Sequence, residues 1–166
     1  MDNYFYEQIV EVKNNEEGKK LRVVIIALSI LAVLVLNFFL AIIGTIVSVI
    51  LLVIVFKVFL PKLNIEFEYA ITNNYLQIAT IYNKEKRKEN ATIDIREVEL
   101  IAPANSTKME YYRNTKKVFF ISGDQNAQLY SILVKTEKGL QNIVIEPDDR
   151  LVELMKKQAS INMYLK

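Results

Sequence analysis

From Val23 to Phe56 the chain runs 34 residues without a charged side chain, and no other feature constrains its fold as strongly. The exceptions to Val, Ile, Leu, Ala and Phe in this run are Ser29, Asn37, Gly44, Thr45 and Ser48. An apolar stretch of about 18 or more residues reads as membrane-spanning. As one straight helix the run would reach about 50 Å at 1.5 Å per residue, against a hydrocarbon core of roughly 30 Å. That is too long for one span and enough for two short ones.

The flanking charges choose between these options. Lys19, Lys20 and Arg22 precede the run, and Lys57 and Lys62 follow it. Lys and Arg gather on the cytoplasmic side of membrane segments, so both flanks belong on one side. A re-entering hairpin satisfies this and a single span does not. Asn37 and Gly44 bracket the expected turn, giving helices near 22–37 and 44–60 within a hairpin over 21–61. Pro61 stops the second helix, because it lacks an N–H and its ring clashes in a helix interior. A cleaved signal peptide fits poorly, since five acids precede the run and no small-residue cleavage site follows it. The expected location is therefore the cell membrane, multi-pass, with both termini cytoplasmic.

Residues 62–166 are enough for one compact domain with its own core. From residue 63 onward there are 15 basic and 14 acidic side chains, so no global basic field suggests nucleic acid. Cysteine is absent, which removes disulfides, thiol nucleophiles and Cys-based metal sites. Before the membrane run, residues 1–20 read as a cytoplasmic lead-in helix. Asp2 would cap it, and Tyr4, Phe5, Ile9 and Val12 would form a loose apolar stripe.

After Asn64 the period changes to that of strands. Ile65, Phe67, Tyr69 and Ile71 alternate with Glu66, Glu68, Ala70 and Thr72, and Asn73-Asn74 marks a tight turn. Strands are expected at Tyr75–Tyr82, Ala91–Ile95, Val98–Ile101, Val118–Ser122, Gln128–Thr136 and Leu140–Glu146, with turns at Gly123-Asp124 and Lys138-Gly139. Asn83–Asn90 and Ala104–Lys116 read as polar loops. A helix over 148–160, capped by Asp148, closes the order, with Leu151, Leu154, Met155 and Gln158 on one face.

Three features carry a family resemblance. They are the basic-flanked hairpin, Tyr69-x-x-Thr72-x-x-x-Leu76-x-Ile78, and Ile93-x-Ile95-Arg96-x-Val98. In these the chain resembles the bacterial pleckstrin-homology-like membrane proteins, from about Lys19 to the C-terminus, and most of all their small uncharacterised members. It departs in having Asn73-Asn74 where members commonly carry Arg or Lys after the Thr. The resemblance implies a membrane α-hairpin plus a mainly-β domain. That domain would be a PH-like seven-stranded antiparallel barrel or sandwich with a C-terminal capping helix. It implies little about function.

No catalytic constellation is evident. His and Cys are both absent, and no nucleophile elbow, P-loop or zinc-helix pattern appears. Asp94, Glu97 and Glu99 are close in sequence, but on a strand Asp94 faces away from the other two, so a solvated surface is the better reading than a cation site. No cofactor or metal is expected, and the chain reads as a non-enzymatic binding or scaffold module. Two surfaces are candidates. The run Lys84-Glu85-Lys86-Arg87-Lys88 returns toward the bilayer by strand counting. With Lys57, Lys62, Lys19, Lys20 and Arg22 it could meet anionic lipid headgroups, each at about 1 kcal/mol. The long loop, flanked by Arg113 and Lys116-Lys117, offers Met109, Tyr111 and Tyr112 to a membrane-protein partner or back to the domain itself. Interaction or assembly is the leading expectation, and lipid binding the alternative.

Overall fold

The computed structural model describes residues 4–13, 16–137, 139–159 and 164, and the side chains of these except 16–19, 61 and 62. Eight strands are present among the described residues, one more than expected. The extra one corrects the expected lead-in helix over 1–20: Phe5–Glu11 is a strand, β1. Its side chains follow a period of two, with Tyr6, Gln8 and Val10 turned inward, while Phe5 and Ile9 of the supposed helical stripe are 65% and 53% exposed. The expected cap Asp2 lies outside the described residues.

The apolar run follows as α1 (Glu16–Ile54), which continues through a π-helical turn, Val55–Phe59, and a 3-10 turn, Leu60–Leu63. Next come β2 (Ile65–Thr72), β3 (Tyr75–Tyr82), β4 (Lys86–Asp94), β5 (Leu100–Pro103) and a short helix α2 (Thr107–Glu110). β6 (Lys116–Phe120), β7 (Tyr130–Thr136), β8 (Gly139–Ile145) and α3 (Asp149–Gln158) complete the order. The expected loop over 83–90 shrinks to a turn. Asn83 and Lys84 both adopt left-handed φ, 54° and 58°, and the Glu85 N–H closes on the Tyr82 carbonyl at 3.1 Å. Two positive-φ central residues match the twist of a hairpin, so Lys86–Lys88 lie on β4 and not in a loop.

The strands form two sheets, ordered β1-β2-β3-β4 and β5-β7-β8-β6. The second departs from the antiparallel expectation, because β6 runs parallel to β8. The connection 121–129 carries the chain past β8 to β7, and a parallel pair requires such a crossover. By contact the chain divides into two compact units. One is Met1–Val12, Glu66–Ile81 and Arg87–Lys166, and the other is Lys13–Ile65 with Tyr82–Lys86.

In the first unit β1 pairs with β2 from Phe5↔Thr72 to Glu11↔Glu66. The two chain positions that bound the apolar segment are thus neighbours in one sheet. Between the sheets, Tyr69, Ile71, Leu76, Ile78, Ile95, Ile101, Ile132 and Ile145 are almost fully buried, with Leu151 and Met155 of α3 closing the core. Helix α3 is capped by Asp148, whose Oδ1 accepts from the Leu151 N–H at 2.8 Å. Its Oδ2 accepts from the Tyr6 hydroxyl at 2.5 Å, and this bond raises the Tyr6 pKa. Gln8 clasps the same stretch twice, donating to the Glu146 carbonyl at 3.0 Å and accepting from the Asp148 N–H at 2.9 Å. β1 is therefore tied both to its own sheet and to the segment that leads into α3.

In the second unit Ala41 breaks α1, with φ 44° and ψ −120°. In a continuous helix residues 37 and 48 would stand about 16 Å apart along the axis. Here Asn37 Nδ2 donates to Ser48 Oγ at 3.1 Å, and Thr45 Oγ1 donates to Asn37 Oδ1 at 2.7 Å, so the axis bends sharply at Ala41. Gly44 permits the approach, since a Cβ there would lie 2.1 Å from the Leu36 carbonyl oxygen.

The buried Tyr69 hydroxyl donates to the Phe120 carbonyl and accepts from the Glu146 N–H at 3.3 Å, joining the sheets through one side chain. Tyr69→Phe keeps the ring and leaves the Glu146 N–H without its acceptor. We expect it to cost about 1–3 kcal/mol, measured by urea unfolding of the full chain in maltoside micelles.

Candidate functional site

The turn between β3 and β4 and the ends of the apolar segment meet within the second unit. Arg22, near the start of α1, donates from Nη2 to the Leu63 carbonyl at 2.6 Å and reaches Asn64 Oδ1 at 3.5 Å. The Asn83 N–H donates to the Asn64 carbonyl at 2.8 Å. A guanidinium that offers several donors in a fixed fork suits this role, and it closes the neck of the segment. Of the sequence candidates, Lys20, Lys57, Lys84 and Lys86 are exposed in this unit. Lys19 and Lys62 lie in α1 and in the 3-10 turn, their side chains outside the described ones.

Arg87 and Lys88 fall in the first unit. Lys88 is exposed on β4, whereas Arg87 turns onto β2, its Nε and Nη2 donating to Glu68 Oε1 at 2.9 and 2.6 Å. Glu68 holds the guanidinium pKa up, with smaller help from Glu89 and Glu7. The run of five charges is therefore not a uniform basic patch, and Arg87 serves the sheet. Glu68, covered in this way, is only 8% exposed.

The three candidates in the long loop separate. Met109 on α2 is buried with Leu100, Ala102 and Leu133, and Tyr112 packs beside them. Tyr111 is 92% exposed, and of the three it alone leaves its side chain open on the surface. α2 starts where Ser106 Oγ accepts from the Lys108 N–H at 3.4 Å. Two of the three acids near the end of β4 are engaged within the domain. Asp94 accepts from Arg96 Nη2 at 2.6 Å and from Asn74 Nδ2 at 2.8 Å, and Glu99 pairs with Lys135 at 2.8 Å. No cluster of three or more acidic side chains suited to a metal ion occurs among the described residues.

Sequence reasoning missed two participants. Arg22 appeared there as a flanking charge and a headgroup candidate, and nothing local announces that it clasps residues 63–64. β1 did carry a signal, the alternation of Tyr6, Gln8 and Val10, which the competing helical stripe obscured.

The sequence profile of the family described as Bacterial PH-like domain (DUF6106) matches residues 2–165. The chain belongs to this bacterial PH-like family. No curated protein and no solved structure matches it. Membership identifies the mainly-β domain with its C-terminal helix as PH-like, and PH-like domains are in general non-catalytic binding or scaffold modules. The match takes in β1 and the apolar segment together with the rest of the domain. One helix here, Lys20–Phe59, is long and apolar enough to cross a membrane.

The Arg96 guanidinium holds the Asp94 carboxyl well below the usual carboxylate range, with Asn74 adding to the effect. A depressed carboxylate stabilises the fold fully above its unfolded value near pH 4, and the contribution is lost as pH falls below that. Asp94→Asn should therefore flatten the fall of Tm below pH 4, read by thermal unfolding across pH 2.5–7.

Proposed function

We propose that this protein is a membrane-anchored PH-like module that binds or assembles a membrane-protein partner at the cytoplasmic face. The supporting observation is the register of β1 on β2. A segment that leaves the sheet at Glu11 and re-enters at Glu66, opposite it at about 5 Å, begins and ends on one side of any bilayer it enters. It must therefore cross an even number of times. The break at Ala41 leaves arms of about 20 and 18 residues, each near 30 Å long at helical rise, which matches the hydrocarbon core. The exposed apolar surface of these arms, such as Phe38 at 83% and Ile42 at 80%, suits lipid. Asn37, Thr45 and Ser48 satisfy one another between the arms, as polar groups in hydrocarbon require. The basic flanks orient both termini to the cytoplasm.

Because the chain has no cysteine, single-Cys variants test this topology cleanly. Glu7→Cys and Asn126→Cys should react with a membrane-impermeant maleimide only in inverted vesicles, and Phe39→Cys only in intact cells. Labelling of Glu7→Cys and Asn126→Cys from opposite sides would sink the hairpin.

A second reading, contact with anionic headgroups, is favoured by the hydrogen bond that hangs the Lys84 turn on Asn64 at the neck. In native mass spectrometry, K84E/K86E/K88E in the full chain should lose preferential retention of phosphatidylglycerol over phosphatidylcholine. Arg87→Glu, next to Glu68, should instead lower stability. The full chain is required, because a fragment starting at residue 63 lacks β1.

A further inference from the structure

β5 stands at the edge of the second sheet, with β7 on one side and no strand on the other among the described residues. Its ladder decides which main-chain groups face the open side. The Ala104 N–H donates to the Leu129 carbonyl at 2.8 Å, in line with the pairs Ala102↔Ser131 and Leu100↔Leu133. Bonded positions alternate along an antiparallel pair, so the main-chain groups of Ile101 and Pro103 point away from β7. Proline has no N–H, and the Pro103 carbonyl already accepts from the Ser106 N–H at 2.9 Å. Ile101 is therefore the position at which β5 can take a further strand. It is 0% exposed, so its carbonyl needs a partner from the protein itself.

That partner is the Tyr164 N–H, at 2.8 Å. α3 ends at Gln158, and Ala159 leaves it in an extended conformation, φ −64° and ψ 131°, packed against the core. In the sequence that follows, Ile161, Met163 and Leu165 alternate with Asn162, Tyr164 and Lys166, without Gly or Pro. This is the two-residue period of a strand. The Lys108 ammonium stands over the Tyr164 ring, a cation–π contact made from α2, whose Met109 packs on Leu100 and Ala102 of β5. Two other edges of the sheets carry the charges that commonly keep an edge from pairing: Lys86, Arg87 and Lys88 on β4, and Lys116 and Lys117 on β6. Leu100–Pro103 carries none.

We propose that the open edge of β5 is a strand-addition site, and that its occupant is the protein's own C-terminal segment, residues 160–166, held in cis with Tyr164 as the anchor. Main-chain bonding at Ile101 gives the attachment, as in recognition of extended peptides by sheet edges. The site is separate from the Lys84 turn, and its test does not depend on how the apolar segment is placed.

A tethered segment acts at an effective concentration of about millimolar, so an occupied edge excludes the same strand offered in trans. The probe is a fluorescent synthetic peptide of residues 159–166, followed by anisotropy with the full chain in maltoside micelles. Tyr164→Pro removes the N–H that Ile101 accepts. The peptide should bind the Tyr164→Pro protein at least about tenfold more tightly than the native protein. A peptide carrying the same substitution should bind that protein about fivefold or more weakly. In the native protein the Tyr164 amide should exchange with deuterium about tenfold or more slowly than in the free peptide. This measurement needs no variant and keeps the proposal testable if Tyr164→Pro fails to fold. Because the chain has no cysteine, a short bismaleimide on K108C/Y164C reads the connection, and the bridge should form within one chain. Unprotected exchange at Tyr164, no gain in peptide binding on Tyr164→Pro, or equal binding of the two peptides would each overturn the proposal. Bridges only between chains would overturn it as well, and would make a second copy the occupant.

Discussion

The pairing of β1 with β2 is the constraint on which the rest of this structure depends. Seven residue pairs, Phe5↔Thr72 to Glu11↔Glu66, join chain positions separated by the whole apolar segment. Closing so long a loop costs entropy that grows only slowly with length, and the ladder is reinforced by contacts outside its own sheet. Tyr6 and Gln8 reach Asp148 and Glu146, and Val10 enters the core. The apolar segment is thus an insertion into a sheet rather than a tether ahead of a domain. A domain built this way cannot complete itself without the strand that precedes the insertion.

That arrangement gives individual side chains double duties. Asp148 caps α3 with one oxygen and holds Tyr6 with the other, so the start of the last helix and the position of the first strand are set by one carboxylate. Tyr69 does the same between sheets, donating to Phe120 and accepting from Glu146. Such shared groups make the domain cooperative, because losing one releases two elements.

Charge in this protein divides between structure and surface by geometry rather than by count. Arg22 and Arg87 look in sequence like members of basic clusters, yet one ties the neck at Leu63 and the other covers Glu68. Lys57, Lys86 and Lys88 remain exposed. The long segment before β6 is similarly partitioned. Met109 is packing, Tyr111 is surface, and a cavity beneath is lined by Arg113, Lys117 and Asn142, side chains from three different elements of the chain order.

Much of this was legible in the sequence where the signal is local. An uncharged run of 34 residues can only be buried or in lipid, and the alternation of Ile65, Phe67, Tyr69 and Ile71 fixes a strand whatever surrounds it. Asn73-Asn74, Gly123 and Gly139 announce turns because few other residues tolerate positive φ, and Asp148 caps its helix as its position predicts. What required tertiary structure was every feature that depends on a distant partner. Phe5–Glu11 carries both a two-residue and a loose helical pattern, and the free edge of β2 decided for strand. Arg87 has the composition of a headgroup ligand, and Glu68 on the neighbouring strand claimed it. Asn142 is an ordinary strand residue by sequence, and only the packing of α2 over its face leaves its oxygen buried and unpaired. Local propensity is written in neighbours along the chain, whereas hydrogen-bond satisfaction is settled by neighbours in space.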